Sequence, residues 1–181
     1  YNPPGLAALV PSDMAADELS AKLKTWNAFQ FERVGLNLRP ELVALKDVGG
    51  DKAAFAEKAK TIAESSEFNL ILMTDDPDVM KAGVEACGFK RPLLYAATED
   101  NVDTMGALAK ENDLPLAVKG DSLEVMASLC DKLSGMGLKD LVIDPGSREI
   151  KQSFLDMLAV RRAALKDLNR SVGFPTIAFP C

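Results

Sequence analysis

The chain has 181 residues, 48% of them hydrophobic and 27% charged, enough for one well-buried domain and too few for two comfortable ones. Its net charge of -6 argues against a surface that tracks nucleic-acid phosphates, which needs a basic excess. It has no histidine and only three scattered cysteines (Cys87, Cys130, Cys181), so the commonest acid–base group and locally spaced zinc or iron–sulfur ligands are missing.

In chain order, Gly5–Val10 is a short apolar run read as a buried strand, broken by Pro11, Ser12 and Asp13. Ala15–Phe29 follows as a helix with Leu19, Leu23 and Trp26 at helical spacing; Trp26, Phe29 and Phe31 are expected to seal it onto the sheet. The second strand falls at Val34–Leu36 or Leu42–Leu45, with Pro40 between them. A helix then opens at Gly49-Gly50-Asp51 and runs to about Ser65, with Phe55, Ala59 and Ile62 on one face.

Beyond that point the pattern is regular. Strands at Asn69–Met73, Arg91–Ala96, Leu116–Val118 and Lys139–Ile143 alternate with helices at Pro77–Cys87, Val102–Asn112, Leu123–Met136 and Glu149–Arg170. Pro175–Phe179 starts one more strand. Apolar strand runs alternating with amphipathic helices specify parallel βαβ units. The expected fold is α/β, a TIM-type (β/α) barrel that is incomplete, with about six units plus a seventh strand where a full barrel has eight. No G-x-G-x-x-G follows the first strand, which weakens a dinucleotide-binding reading. Residues 1–181 are read as a single partial barrel domain. The first residue, Tyr1, and the strand-like ending Phe179-Pro180-Cys181 give the expectation of an excised domain or fragment whose open sheet self-associates. Cysteine usage and the lack of a long apolar run or signal peptide point to a cytoplasmic protein away from membranes.

In such a barrel, working residues sit where strands end and helices begin. These junctions contain Thr74-Asp75-Asp76-Pro77, Ala97-Thr98-Glu99-Asp100, Lys119-Gly120-Asp121-Ser122 and Asp144-Pro145-Gly146-Ser147-Arg148. Asp76 before Pro77 is the expected N-cap, Asp121 with Glu124 resembles a capping box, and Ser147 or Thr98 can cap their helices. Lys119–Ser122 could also hold an anion on backbone N–H groups. Asp75 and Asp144 end apolar strands and are not needed as caps, so ligand contact and structural hydrogen bonding stand open for both. With Thr98 they form the candidate site at the barrel mouth; no catalytic and no metal-binding residue is assigned.

The blocks NLILMTDDPDVMKAG, RPLLYAATEDN, ALAKENDLPLAVKG and DLVIDPGSRE, in that order, resemble the large (gamma) subunit of the corrinoid iron–sulfur protein of the CO dehydrogenase/acetyl-CoA synthase complex. The resemblance extends from Leu19–Gly35 to the RSVGFP stretch. It implies the central barrel of a subunit that also has a four-iron domain and a corrinoid-binding domain. With a small subunit, that protein passes a methyl group on cobalt from a methyltetrahydropterin:corrinoid methyltransferase to acetyl-CoA synthase. Neither cofactor domain is matched here, so cobalamin and the 4Fe-4S cluster are implied for the full-length family member and not for this chain. The expected role is therefore a scaffold and docking surface for the small subunit, methyltransferase and acetyl-CoA synthase, with Asp75, Thr98 and Asp144 as corrinoid or domain contacts. The alternative is a pterin-dependent methyltransferase barrel in which Asp75 and Asp144 hold the pterin.

Overall fold

The computed structural model describes residues 4–179, and these divide into two compact units, residues 4–93 and 94–179. The first unit contains three parallel strands in the order β1 (Ala7–Pro11), β4 (Leu42–Lys46) and β5 (Asn69–Met73). Helices α1 (Ala16–Ala28), α2 (Lys52–Ser65) and α3 (Pro77–Cys87) follow these strands in turn. Between α1 and β4 the chain makes a separate antiparallel hairpin, β2 (Phe31–Arg33) and β3 (Leu36–Leu38).

The hairpin settles the uncertain second strand. Leu42–Lys46 joins the parallel sheet with Val43, Ala44 and Leu45 buried, whereas residues 34–36 form the turn and start of β3, with Gly35 at positive φ. It also corrects the role given to the aromatic residues. Leu19 and Leu23 hold α1 down, but Phe29 and Phe31 are each 52% exposed, because the chain leaves the helix layer there to form the hairpin. Phe55, Ala59 and Ile62 are buried on α2 as their spacing required. Helices α2 and α3 pack closely: a Cβ on Gly83 would come within 2.7 Å of Phe55 Cε1.

The second unit repeats the scheme with β6 (Leu93–Ala97), β7 (Leu116–Lys119) and β8 (Leu141–Asp144), paired in parallel in that order. These strands are followed by α4 (Val102–Glu111), α5 (Leu123–Gly135) and α6 (Ile150–Leu165). The β6–β7 register is irregular between Leu94 and Ala97, and the Tyr95–Ala96 peptide bond is cis. After a 3₁₀ turn at Arg170–Val172, the chain bridges Thr176 in parallel to Ile143. The seventh strand thus begins where the sequence placed it, although it makes only this bridge within the described residues; Pro180 and Cys181 lie outside them. Six βα units and the start of a seventh strand match the expected α/β architecture.

Candidate functional site

Strands of four or five residues leave their last polar side chain at the C-terminal edge of the sheet, beside the turn into the next helix. In the first unit these turns are tied together by short polar groups. The Asp47 N–H donates to Met73 O at 2.8 Å, and the Val48 N–H to Ser12 Oγ at 2.9 Å. The Thr74 hydroxyl donates to Asp47 Oδ2 at 3.0 Å and accepts from the Asp76 N–H at 3.2 Å, while Asp47 Oδ1 accepts from Gly50 N–H. Ser12 and Thr74 are both buried, so these bonds give their hydroxyls partners within the protein. Asp75, one of the sequence candidates, is exposed on this unit, and Asp76 caps α3 as expected by accepting from Asp78 and Val79 N–H.

The second unit solves the same problem with a charge. Asp144 ends β8 and is only 1% exposed. Its Oδ1 accepts from the Gly146 N–H at 2.8 Å and Arg148 Nη1 at 3.2 Å; its Oδ2 accepts from Arg148 Nη2 at 2.9 Å and from the Tyr95 hydroxyl. Arg148 Nη2 also reaches Tyr95 Oη at 2.8 Å. The local sequence explains the geometry. Gly146 adopts φ +84°, which lets the chain reverse so that its own N–H and Arg148, two residues on, both return to the carboxylate. The guanidinium lies 4.5 Å from the centroid of the Phe179 ring, and that ring meets Tyr95 edge-on at 5.3 Å.

Burial, reinforced by the neighbouring carboxylate, raises the Tyr95 pKa well above the ordinary phenol range. The hydrogen bonds that Arg148 donates to Asp144 raise its own. A carboxylate with four donors and a permanently charged partner makes a structural anchor. This geometry favours structural hydrogen bonding for Asp144, one of the two readings that its sequence left open. The capping roles are redistributed as well. Ser122, not Asp121, caps α5 by accepting from the Val125 N–H, because the turn places its hydroxyl over the helix end. At α4 the Asn101 side chain accepts from Thr98 N–H, so half-buried Thr98 is held by the turn instead of capping it. Ser147 donates to Asp156, and Glu149 stands at the N-cap position of α6 without a side-chain capping bond.

Thr98 therefore follows β6 and Asp144 ends β8, with β7 between these strands, and Asp144 gathers Tyr95 and Arg148 rather than Thr98. Tyr95, Arg148, Phe179, Ser12 and Asp47 were not singled out from sequence. Two signals were available: a phenol inside an apolar strand needs a partner, and Arg148 stands four residues after a strand-end acid. Cys87 on α3 and Cys130 on α5 are buried, which pushes their thiols up to about 11 and about 12 and keeps them protonated at neutral pH. Among the described residues no group of three or more His, Cys, Asp or Glu is placed to hold a metal ion, and no helix is long and apolar enough to cross a membrane.

Comparison with known proteins adds family and fold. Residues 1–181 match the family model described as CO dehydrogenase/acetyl-CoA synthase delta subunit. The chain is 42% identical over 98% of its length to the corrinoid/iron-sulfur protein large subunit of Moorella thermoacetica. It is 34% identical over 99% of its length to the acetyl-CoA decarbonylase/synthase complex subunit gamma of Methanothermobacter thermautotrophicus. It spans 40% of the length of each of these relatives. Among solved structures it resembles Rv1207 of Mycobacterium tuberculosis (TM-score 0.63, 15% identity, 97% of this chain and 73% of that one). It also resembles a Yersinia pestis DHPS solved with a pterine-sulfa conjugate (TM-score 0.63, 13% identity, 97% and 72%). At these identities the likeness establishes the fold alone, of the TIM-barrel type.

Proposed function

The chain belongs to the CO dehydrogenase/acetyl-CoA synthase delta subunit family, and from that premise we propose that it is the barrel of a corrinoid methyl carrier's large subunit, serving as scaffold and docking surface. The observation that carries this reading is the 42% identity to a corrinoid/iron-sulfur protein large subunit over nearly the whole chain. The full-length protein would carry cobalamin and a 4Fe-4S cluster and pass a methyl group between a methyltransferase and acetyl-CoA synthase in a cytoplasmic complex. Its small subunit would pack against this barrel.

The residues described here do not fit a 4Fe-4S cluster. Cys87 and Cys130 are the described cysteines, each buried singly with a protonated thiol, which is no cluster ligand set. Nor does the Asp144 cluster offer an unpaired carboxylate to a pterin, since its oxygens are committed to Arg148, Tyr95 and Gly146. Both observations support a barrel that positions other domains. Asp75 and Thr98 remain as its candidate contacts to the corrinoid domain, and Asp144 would act there by holding the loop that presents Arg148.

Native mass spectrometry of the chain with methyltetrahydrofolate, with methylcobalamin and with the purified small subunit tests the proposal. A complex with the small subunit and no bound pterin is expected. Pterin bound one to one and lost in Asp75→Asn would overturn the scaffold reading in favour of a pterin-dependent methyltransferase.

A further inference from the structure

The hairpin β2–β3 stands apart from the parallel sheet and carries its apolar side chains in the open. Phe31, Leu36 and Leu38 are 52%, 64% and 38% exposed, and Val34 in the turn is 93% exposed. Cross-strand partners share a face, so Phe31, Leu36 and Leu38 lie on one side with Arg33, and Glu32 and Asn37 lie on the other. A two-stranded hairpin is marginally stable by itself, and among the described residues this sheet has no third strand. Both edges therefore offer unpaired backbone groups. The turn decides which groups these are. Val34 and Gly35 sit at φ +50° and +73°, a two-residue primed turn closed by a hydrogen-bonded Arg33–Leu36 pair. Antiparallel pairs alternate, so Glu32–Asn37 is the non-hydrogen-bonded pair, and each of these residues turns its N–H and C=O to the outer edge.

We infer that β3 is a contact edge between two copies of this chain, joined antiparallel about a two-fold axis through Asn37 into a four-stranded sheet. Asn37 then exchanges both of its outward backbone groups with Asn37 of the second copy. Leu36 faces Leu38 of the second copy in a non-hydrogen-bonded pair, the position where side chains come closest. Leu36 and Leu38 of each copy thus cover one another's flanks beside the axis.

Charge selects this edge and this occupant. The same two-fold operation on β2 sets Glu32 directly against Glu32 of the second copy, a destabilising pair of like charges. On β3 the uncharged Asn37 holds that place, and the two Glu32 carboxylates lie three strand spacings apart, about 14 Å, beyond the Debye length of about 8 Å. Pairing β2 of one copy with β3 of the next is heterologous and leaves an open edge at either end, whereas the β3 pairing closes. This inference does not depend on the methyl-carrier reading, and it uses residues away from the open edges of the parallel sheet.

Analytical ultracentrifugation of the 181-residue chain and of its Asn37→Glu variant tests the contact. A dimer is expected, weakened about tenfold or more in Asn37→Glu, because two carboxylates then meet across the axis. Disulfide trapping reads the register in chains that also carry Cys181→Ser. Leu36→Cys and Leu38→Cys, oxidised separately, should not cross-link, since like positions lie on the diagonal about 7–8 Å apart. Mixed and then oxidised, the two variants should give a covalent dimer on a non-reducing gel. A monomeric parent chain would refute the proposal. So would a dimer that Asn37→Glu leaves unchanged, which would place the association at the open parallel sheet instead. A dimer that Asn37→Glu dissociates but the mixed cysteine variants fail to trap would overturn the β3 pairing.

Discussion

The two strand-end clusters face one task with different chemistry. In the first unit, Ser12, Asp47 and Thr74 link neighbouring turns through neutral hydroxyls and a half-buried carboxylate whose partners are N–H and O–H groups. In the second unit, Asp144 is almost fully buried, and its charge is matched by Arg148 and hydrogen-bonded by Tyr95. Loss of one partner should therefore cost far more in the second cluster, because an uncompensated buried charge cannot regain its hydration.

Replacing Arg148 by Met puts the greatest strain on that contrast. It leaves the buried Asp144 carboxylate without a counter-charge, and an expected loss of about 3 kcal/mol should appear in urea denaturation. A loss below about 1 kcal/mol would mean that Asp144 is hydrated after all.

Tyr95→Phe comes next, removing a hydrogen bond to a charged acceptor at an expected cost of about 1.5–3 kcal/mol. It also carries a pH signature. The folded Tyr95 phenol titrates above its unfolded value, so its contribution is intact below the unfolded pKa of about 10 and is lost as pH rises toward the folded value. Stability should fall above about pH 10, less steeply in Tyr95→Phe. The chain has two tyrosines, so tyrosinate absorbance should show one of them resisting titration until the protein unfolds.

Thr74→Val should cost less, about 1 kcal/mol, because the Asp47 carboxylate it abandons is only half-buried and keeps the Gly50 N–H. Thermal unfolding would measure it; a cost equal to that of Arg148→Met would erase the distinction between the clusters. Asp75→Asn is the smallest change, within about 0.5 kcal/mol for an exposed side chain. A clear stabilisation by this substitution would show that Asp75 is held under electrostatic strain, the mark of a residue kept for binding.

Much of this fold was legible in the sequence because its signals are local. Runs such as NLILM and KDLVI, each followed by a helix of period 3.6, specify βα units without reference to distant residues. Asp76 before Pro77 was likewise a complete N-cap signal in two adjacent positions. The hairpin at 31–38 escaped because three-residue strands are too short to show a period, and only pairing between Phe31 and Leu38 reveals it.

The candidate site divides along the same line. Asp144 stood out from sequence as a strand-end acid, but whether it was free or committed depended on Tyr95, forty-nine positions away, and on Arg148 returning through the Gly146 turn. By itself the sequence determined the order of strands and helices and the polar character of their junctions, since both follow from neighbouring residues. Only the tertiary structure decided which junction buries a charge and which leaves one exposed, because desolvation is set by everything that packs around a group.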